Sequence, residues 1–246
     1  LIAPIQGQKS GVAIDGASDS ALGSSQLGRE VRLEDHLADV GGRAEEFAIN
    51  LGLSPELVRT VRLAGEAHDM GKADPRFQAL LRGGNLLEAM AYASDPKNAL
   101  AKSITGAPKT PVSDPEWRWP SGMRHEAISV ALFRAALGVQ LRDEMANLDS
   151  DLVEHLIASH HGWSRPLFPP VIDNSTPPIS GTNRKPKAVT AAIRGKTVEA
   201  QSDDVVVDWS QPQRFRQLCE RYGWWGLALL EAVLRLADMA ISEEGK

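Results

Sequence analysis

A stretch that reads as an apolar helix ends on two groups that a protein interior does not accept alone. Leu57, Val61, Leu63, Ala64 and Met70 recur at helical spacing, the run carries His68-Asp69, and Lys72 follows one turn later. Burying an ionised carboxylate without a partner costs several kcal/mol. Either the pair faces solvent at a frayed helix end or something cationic compensates it. The same problem returns near the C-terminus, where Asp238 interrupts "LRLADMAIS" four residues after Leu234. Five of the six histidines, His36, His68, His125, His160 and His161, fall on the apolar side or at the end of predicted helices. Neutral imidazole is the commonest side-chain ligand for divalent transition metals.

The rest of the chain frames these residues in helices. Residues 1–27, rich in Gly, Ser and Ala without a sustained period, read as a linker or N-terminal extension, and 28–246 as one domain. Val31, Leu33, Leu37, Val40, Ala44, Phe47 and Ala48 make a helical stripe over 31–51. Ser54-Pro55-Glu56 is a helix start, with a capping hydroxyl, proline at the first helical position and an acid at the positive end of the dipole. Gly71 is expected to stop that helix. Asp74-Pro75 begins a short one that Gly83-Gly84 ends. Helices follow over 124–138 and 149–162, the latter capped by Asp149 or Ser150, and the chain closes with "QRFRQLCERYG" and a long helix from Trp224 to about Ile241. Residues 164–212 hold seven prolines and break the helical reading. Within them 205–209 and part of 188–199 are candidates for a short hairpin. The expected fold is all-α, a helical bundle with an irregular Pro-rich insertion.

Composition removes several classes. The formal charge is −5, so no global basic field advertises nucleic acid, and any such role rests on a local patch. Cys219 is the only cysteine, which excludes an intramolecular disulfide and Cys-rich zinc sites and fits a reducing cytoplasm. No segment reads as membrane-spanning, because Glu231, Arg235 and Asp238 break the longest apolar stretch. "GEAHDMGKA" mimics a phosphate-binding P-loop, but five residues separate its glycines and Ala73 stands where Ser or Thr is required. The chain begins at Leu1 and carries no nucleotide-triphosphate motor, which reads as a piece of a larger protein.

The ordered set His36, His68-Asp69, His125, His160-His161 and Asp238 resembles the HD metallohydrolase superfamily. "HDMGKADPRFQALL" and "ASHHG" are similar to one branch of it, the HD nuclease domain of the helicase–nuclease of type I CRISPR systems, over about 30–240. The resemblance implies an HD-domain helical bundle that cuts single-stranded DNA during CRISPR interference. Its implied partners are a helicase domain in the same or a partner chain and an RNA-guided surveillance complex. It implies a divalent transition metal, two ions of Mn, Fe, Co, Ni or Zn, with Mg as a further candidate. Two such ions clamp the attacking and leaving oxygens of a phosphodiester. On this reading Asp69 bridges them, His36, His68 and Asp238 hold one, and His125, His160 and His161 hold the other. By resemblance Lys72 is a catalytic-site residue that binds the phosphate or offsets developing charge; without the motif it is an exposed lysine at a helix C-terminus.

Around this set, His155 is expected to be structural or on the surface, and Glu66 and Glu126, which flank candidate ligands, to be solvated rather than partners of those ligands. Arg184, Lys185, Lys187, Arg194 and Lys196 lie in a segment without acids that can follow a phosphate backbone. Trp163 and the pair Trp117 and Trp119 can stack bases. The competing function is an HD phosphohydrolase acting on nucleotides or cyclic dinucleotides. A one-metal version leaves His125, His160 and His161 idle. The cyclic-dinucleotide branch carries a Gly-Tyr-Pro signature that does not occur here.

Overall fold

The computed structural model describes residues 29–94, 96–104, 112, 114, 117–139, 141, 143, 145, 147–168, 188–201 and 208–244. The expected extension over 1–27 lies outside them, as do Arg184, Lys185 and Lys187. The elements are β1 (Val31–Arg32), α1 (Leu33–Asn50), α2 (Pro55–Ala67), a 3-10 turn (Met70–Ala73), α3 (Pro75–Leu81), α4 (Leu86–Ser94), a second 3-10 turn (Pro96–Asn98) and β2 (Leu100–Lys102). They continue with α5 (His125–Val139), α6 (Ser150–Ser159), β3 (Ala188–Ile193), β4 (Lys196–Gln201), α7 (Gln211–Tyr222) and α8 (Trp224–Glu243). The all-α reading is borne out: the described residues add only two small two-stranded antiparallel sheets, β1–β2 and β3–β4. Among the described residues no helix is long and apolar enough to cross a membrane.

Local sequence explains the helix starts. Ser54 Oγ accepts from Leu57 N–H at 3.3 Å ahead of Pro55, and Asp74 accepts from Arg76 N–H at 2.8 Å ahead of Pro75. Asp149 accepts from Leu152 N–H at 3.2 Å and so is the cap of α6. The first helix begins at Leu33 rather than at 31, since Val31 and Arg32 pair with β2. The hairpin also differs from its expected register. Residues 188–193 pair with 196–201, so the 188–199 segment supplies both strands, while 202–207 lie outside the described residues.

The core is one cluster that draws on α1, α2, α5, α6, α8 and the β3–β4 hairpin. On α1 the buried residues Leu33, His36, Leu37, Val40, Gly41, Ala44 and Ala48 form one stripe, so His36 points inward because of its register. Against it lies α2, and the two backbones nearly touch: a Cβ on Gly65 would come within 2.8 Å of Gly41 Cα. The close approach brings His36 and the end of α2 to the same depth.

Gly71 has a different job from the one expected of it. Helix α2 already ends at Ala67, with His68 as its C-cap, and Gly71 is not at positive φ. Instead the 3-10 turn presses on the start of α5. A Cβ at Gly71 would sit 2.0 Å from the His125 carbonyl oxygen, and Gly71 N–H donates to Ser129 Oγ at 2.8 Å. The turn is pinned from the other side as well. Gln78 donates to the Lys72 and Leu100 carbonyls at 2.7 and 2.8 Å, and Tyr92 Oη donates to the Ala73 carbonyl at 2.7 Å. Arg76 and Asp74, both buried, close the turn with a 2.7 Å ion pair.

Because the obstacle at Gly71 is backbone, not a movable side-chain tip, Gly71→Ala is expected to destabilise the protein by about 1–3 kcal/mol or more. Thermal unfolding would show a clear drop in Tm. An unchanged Tm would mean that the turn and α5 separate freely.

Candidate metal centre

Five elements each deliver one or two polar groups to a single buried point. His36 comes from the inner stripe of α1, His68 and Asp69 from the end of α2, and His125 from the first residue of α5. His160 and His161 follow the last residue of α6, and Asp238 comes from the inner face of α8. The 100° between successive helical positions does not separate His160 from His161, because the helix ends at Ser159 and their rings lie 4.2 Å apart, centroid to centroid.

The two oxygens of Asp69 divide these groups. Asp69 Oδ2 lies 3.5 Å from His36 Nε2 and 3.3 Å from His68 Nε2. Asp69 Oδ1 lies 2.9 Å from His125 Nε2 and 3.5 Å from His160 Nε2. Asp238 Oδ1 joins the first side, 3.4 Å from His36 Nε2 and 3.9 Å from His68 Nε2. Two sets of potential ligand atoms therefore share Asp69: His36 with His68, and His125 with His160 and His161, each set within 4.8 Å.

Hydrogen bonding leaves these atoms facing inward without partners. His68 Nδ1 lies 2.7 Å from the Gly65 carbonyl and His160 Nδ1 lies 2.8 Å from the Ile157 carbonyl. A carbonyl only accepts, so each Nδ1 carries the proton and each Nε2 keeps a lone pair. Nε2 of His36, His68, His125, His160 and His161, and Oδ1 of Asp69, are all buried with no hydrogen-bond partner. Buried polar atoms are rarely orphaned, and here they share one centre. The donor set, imidazole nitrogens with carboxylate oxygens, fits divalent transition-metal ions.

A family model described as Cas3, HD domain matches residues 29–234. The chain belongs to that family. No curated protein and no solved structure matches it. Membership in the Cas3 HD family carries the coarse chemistry of a metal-dependent hydrolase of the HD superfamily, acting as a nuclease in association with CRISPR systems. The buried His and Asp groups fit the metal dependence of the Cas3 HD fold.

The surroundings correct several expectations. Lys72 is not an exposed terminal lysine: it is 1% exposed, and its Nζ lies 2.7 Å from Asp69 Oδ2. Glu126 is not solvated but fully buried, 2.6 Å from Arg124 and 3.4 Å from His125 Nδ1. Glu66 pairs with Arg62 and Arg194 near the surface, so that arginine is engaged by protein. Trp119 is buried edge-on against Phe77, whose ring lies 5.5 Å from that of His125. That contact gives the phenylalanine of "DPRFQ" a packing role. Trp163 remains half-exposed, with the Arg124 guanidinium 5.0 Å from its ring. Of the two readings of His155, structural or surface, the structure bears out the first: it is buried and 2.6 Å from Glu231.

Two further cations stand at the centre. Lys102 on β2 is buried 3.9 Å from Asp238, and burial with the nearby Lys72 charge lowers its pKa to about 8. Arg235 reaches both His161 Nδ1, at 2.7 Å, and Asp238 Oδ2, at 3.7 Å. The sequence hinted at Arg235 only as an acid's helical neighbour, and nothing local marked Lys102.

The charges set a pH response. Burial raises the Asp69 carboxyl, but the Lys72 ammonium leads the groups that outweigh it and hold it well below the carboxylate range. Burial pushes His161 and His125 down from their ordinary values, whereas for His68 the Asp69 and Asp238 charges overcome burial and raise it. Groups with depressed pKa bind protons in the unfolded chain first, as pH falls through about 6.5. Two such histidines oppose one raised one, and His161 is shifted far. The metal-free protein is therefore expected to lose stability between about pH 7 and pH 5, with Asp69 and Asp238 adding to the loss only in stronger acid. Thermal melts in EDTA would test this, with His161→Gln flattening the profile; a Tm that rises on acidification would contradict it.

Proposed function

We propose that this chain is the nuclease domain of a helicase–nuclease and cuts single-stranded DNA through a dinuclear metal centre bridged by Asp69. The observation that carries the reading is the division of the Asp69 oxygens, with orphaned imidazole nitrogens facing each of them. His36, His68 and Asp238 would hold one ion, and His125, His160 and His161 the other. Bound there, the ions would supply an activated water and charge relief on the scissile phosphate.

The chain's own residues do the rest. Lys72 keeps Asp69 ionised and fixes Oδ2 in orientation, and its ammonium adds positive charge where the phosphate sits. Carbonyl contacts from Gly65 and Ile157 hold two imidazoles in the ligating tautomer. Glu126 beside His125 Nδ1 supplies negative charge behind a third. Trp163, exposed next to the His-His turn with the buried Arg124 guanidinium 5.0 Å from its ring, is suited to stacking an unpaired base. A one-metal nucleotide hydrolase has no use for His125, His160 and His161 converging on Asp69 Oδ1. A duplex would not enter unopened, which calls for a helicase partner, guided by an RNA-loaded surveillance complex.

Incubated with Mn, the protein is expected to degrade circular single-stranded DNA, and Asp69→Ala to reduce this to background. Lys72→Met should retain metal while losing rate by on the order of 100-fold. Rapid nucleotide hydrolysis with intact DNA would support the phosphohydrolase alternative instead.

A further inference from the structure

We propose that Arg235 competes with the second metal ion for His161, and so holds the centre in a one-ion state until the guanidinium withdraws. The inference rests on the dinuclear reading above and concerns the order in which that centre fills.

The chemistry lies in one hydrogen bond. Arg235 Nη1 lies 2.7 Å from His161 Nδ1. A guanidinium has five N–H donors and no acceptor, so Nδ1 must accept. The single proton of a neutral His161 then sits on Nε2, which is buried without an acceptor. A protonated ring nitrogen does not bind a metal. To ligate through Nε2, His161 must move its proton to Nδ1, where it would face the Arg235 N–H donor to donor. To ligate through Nδ1, the ion must take the place of Nη1. Both routes require Arg235 to leave, and a divalent ion nearby adds charge repulsion to that demand.

The other ligands are prepared differently. The second nitrogens of His68 and His160 meet carbonyl oxygens, and that of His125 lies 3.4 Å from the Glu126 carboxylate. Each of those neighbours is an acceptor, which favours the ligating tautomer. Among these histidines His161 alone meets a donor. Arg235 also has somewhere to go. Its side chain is 40% exposed and lines an open cavity of about 290 Å³ with Arg165, Glu231, His160, His161 and Gly162.

The test titrates the EDTA-stripped protein with Mn by calorimetry, and assigns the His161 tautomer by long-range proton–nitrogen NMR. Wild type should bind one ion tightly and a second weakly, with the metal-free His161 proton on Nε2. Arg235→Met should tighten the second ion by roughly 10- to 100-fold, the range expected for removing a charged hydrogen bond. The first ion, whose Asp238 also loses its contact with Arg235, should bind at least as tightly as in wild type, and an unchanged circular-dichroism spectrum serves as the control for folding. His161→Ala should remove the second ion in either background. Two ions whose affinities do not respond to Arg235→Met, or a metal-free His161 protonated on Nδ1, would overturn the proposal and leave the dinuclear reading standing. A wild-type protein and variant that both stop at one ion, or bind none, would overturn the dinuclear reading and this inference with it.

Discussion

A carboxylate buried among imidazoles is the constraint on which the structure turns. Asp69 is 1% exposed, and an ion so placed needs positive charge close by. Lys72 provides one such charge at 2.7 Å, on Oδ2. The other oxygen, Oδ1, has no hydrogen-bond partner although two imidazole nitrogens face it. A site with that imbalance is arranged for a cation that the polypeptide does not itself supply. Asp238 repeats the pattern at smaller scale, with His36, Lys102 and Arg235 around it.

The scaffold serves this constraint by bringing backbones closer than side chains normally allow. Gly41 against Gly65 sets the depth of α1 relative to α2, and Gly71 against the His125 carbonyl sets the turn against α5. Gln78 then clamps the turn to β2, which is how Lys102 arrives beside Asp238. The candidate ligands are thus carried on elements whose relative positions are fixed by contacts that leave no room for an added methyl group. Such preorganisation lets several imidazoles face one another without collapsing onto each other's hydrogen bonds.

How much of this could be read from the chain follows from the range of each interaction. His36 was legible because the α1 stripe has a period, and His68-Asp69 because two polar groups close an apolar run. The caps at Ser54, Asp74 and Asp149 were legible because capping is local. Gly71 was misread because its obstacle lies on another helix. The preference for a solvated Glu126 over a partner of His125 failed for the same reason: its burial depends on the packing of α5 and the pairing with Arg124, not on helical phase. Arg235 and His161 are 74 residues apart, and no periodicity connects them. The hairpin was placed only in part, since Arg194-Gly195 as its turn was not recognised as the end of one strand and the start of the next.

The side chains around Asp69 are not arranged symmetrically about its carboxylate. On one side the carbonyl of Gly65 leaves the His68 Nε2 lone pair free, and on the other His161 is held by a donor. Crystals soaked in Mn and measured for anomalous scattering at the metal edge test the whole picture most directly. Two anomalous peaks about 3.5–4 Å apart, one on each side of the Asp69 carboxylate, are predicted. A lone peak away from Asp69, or ligand side chains left uncoordinated at saturating metal, would contradict it.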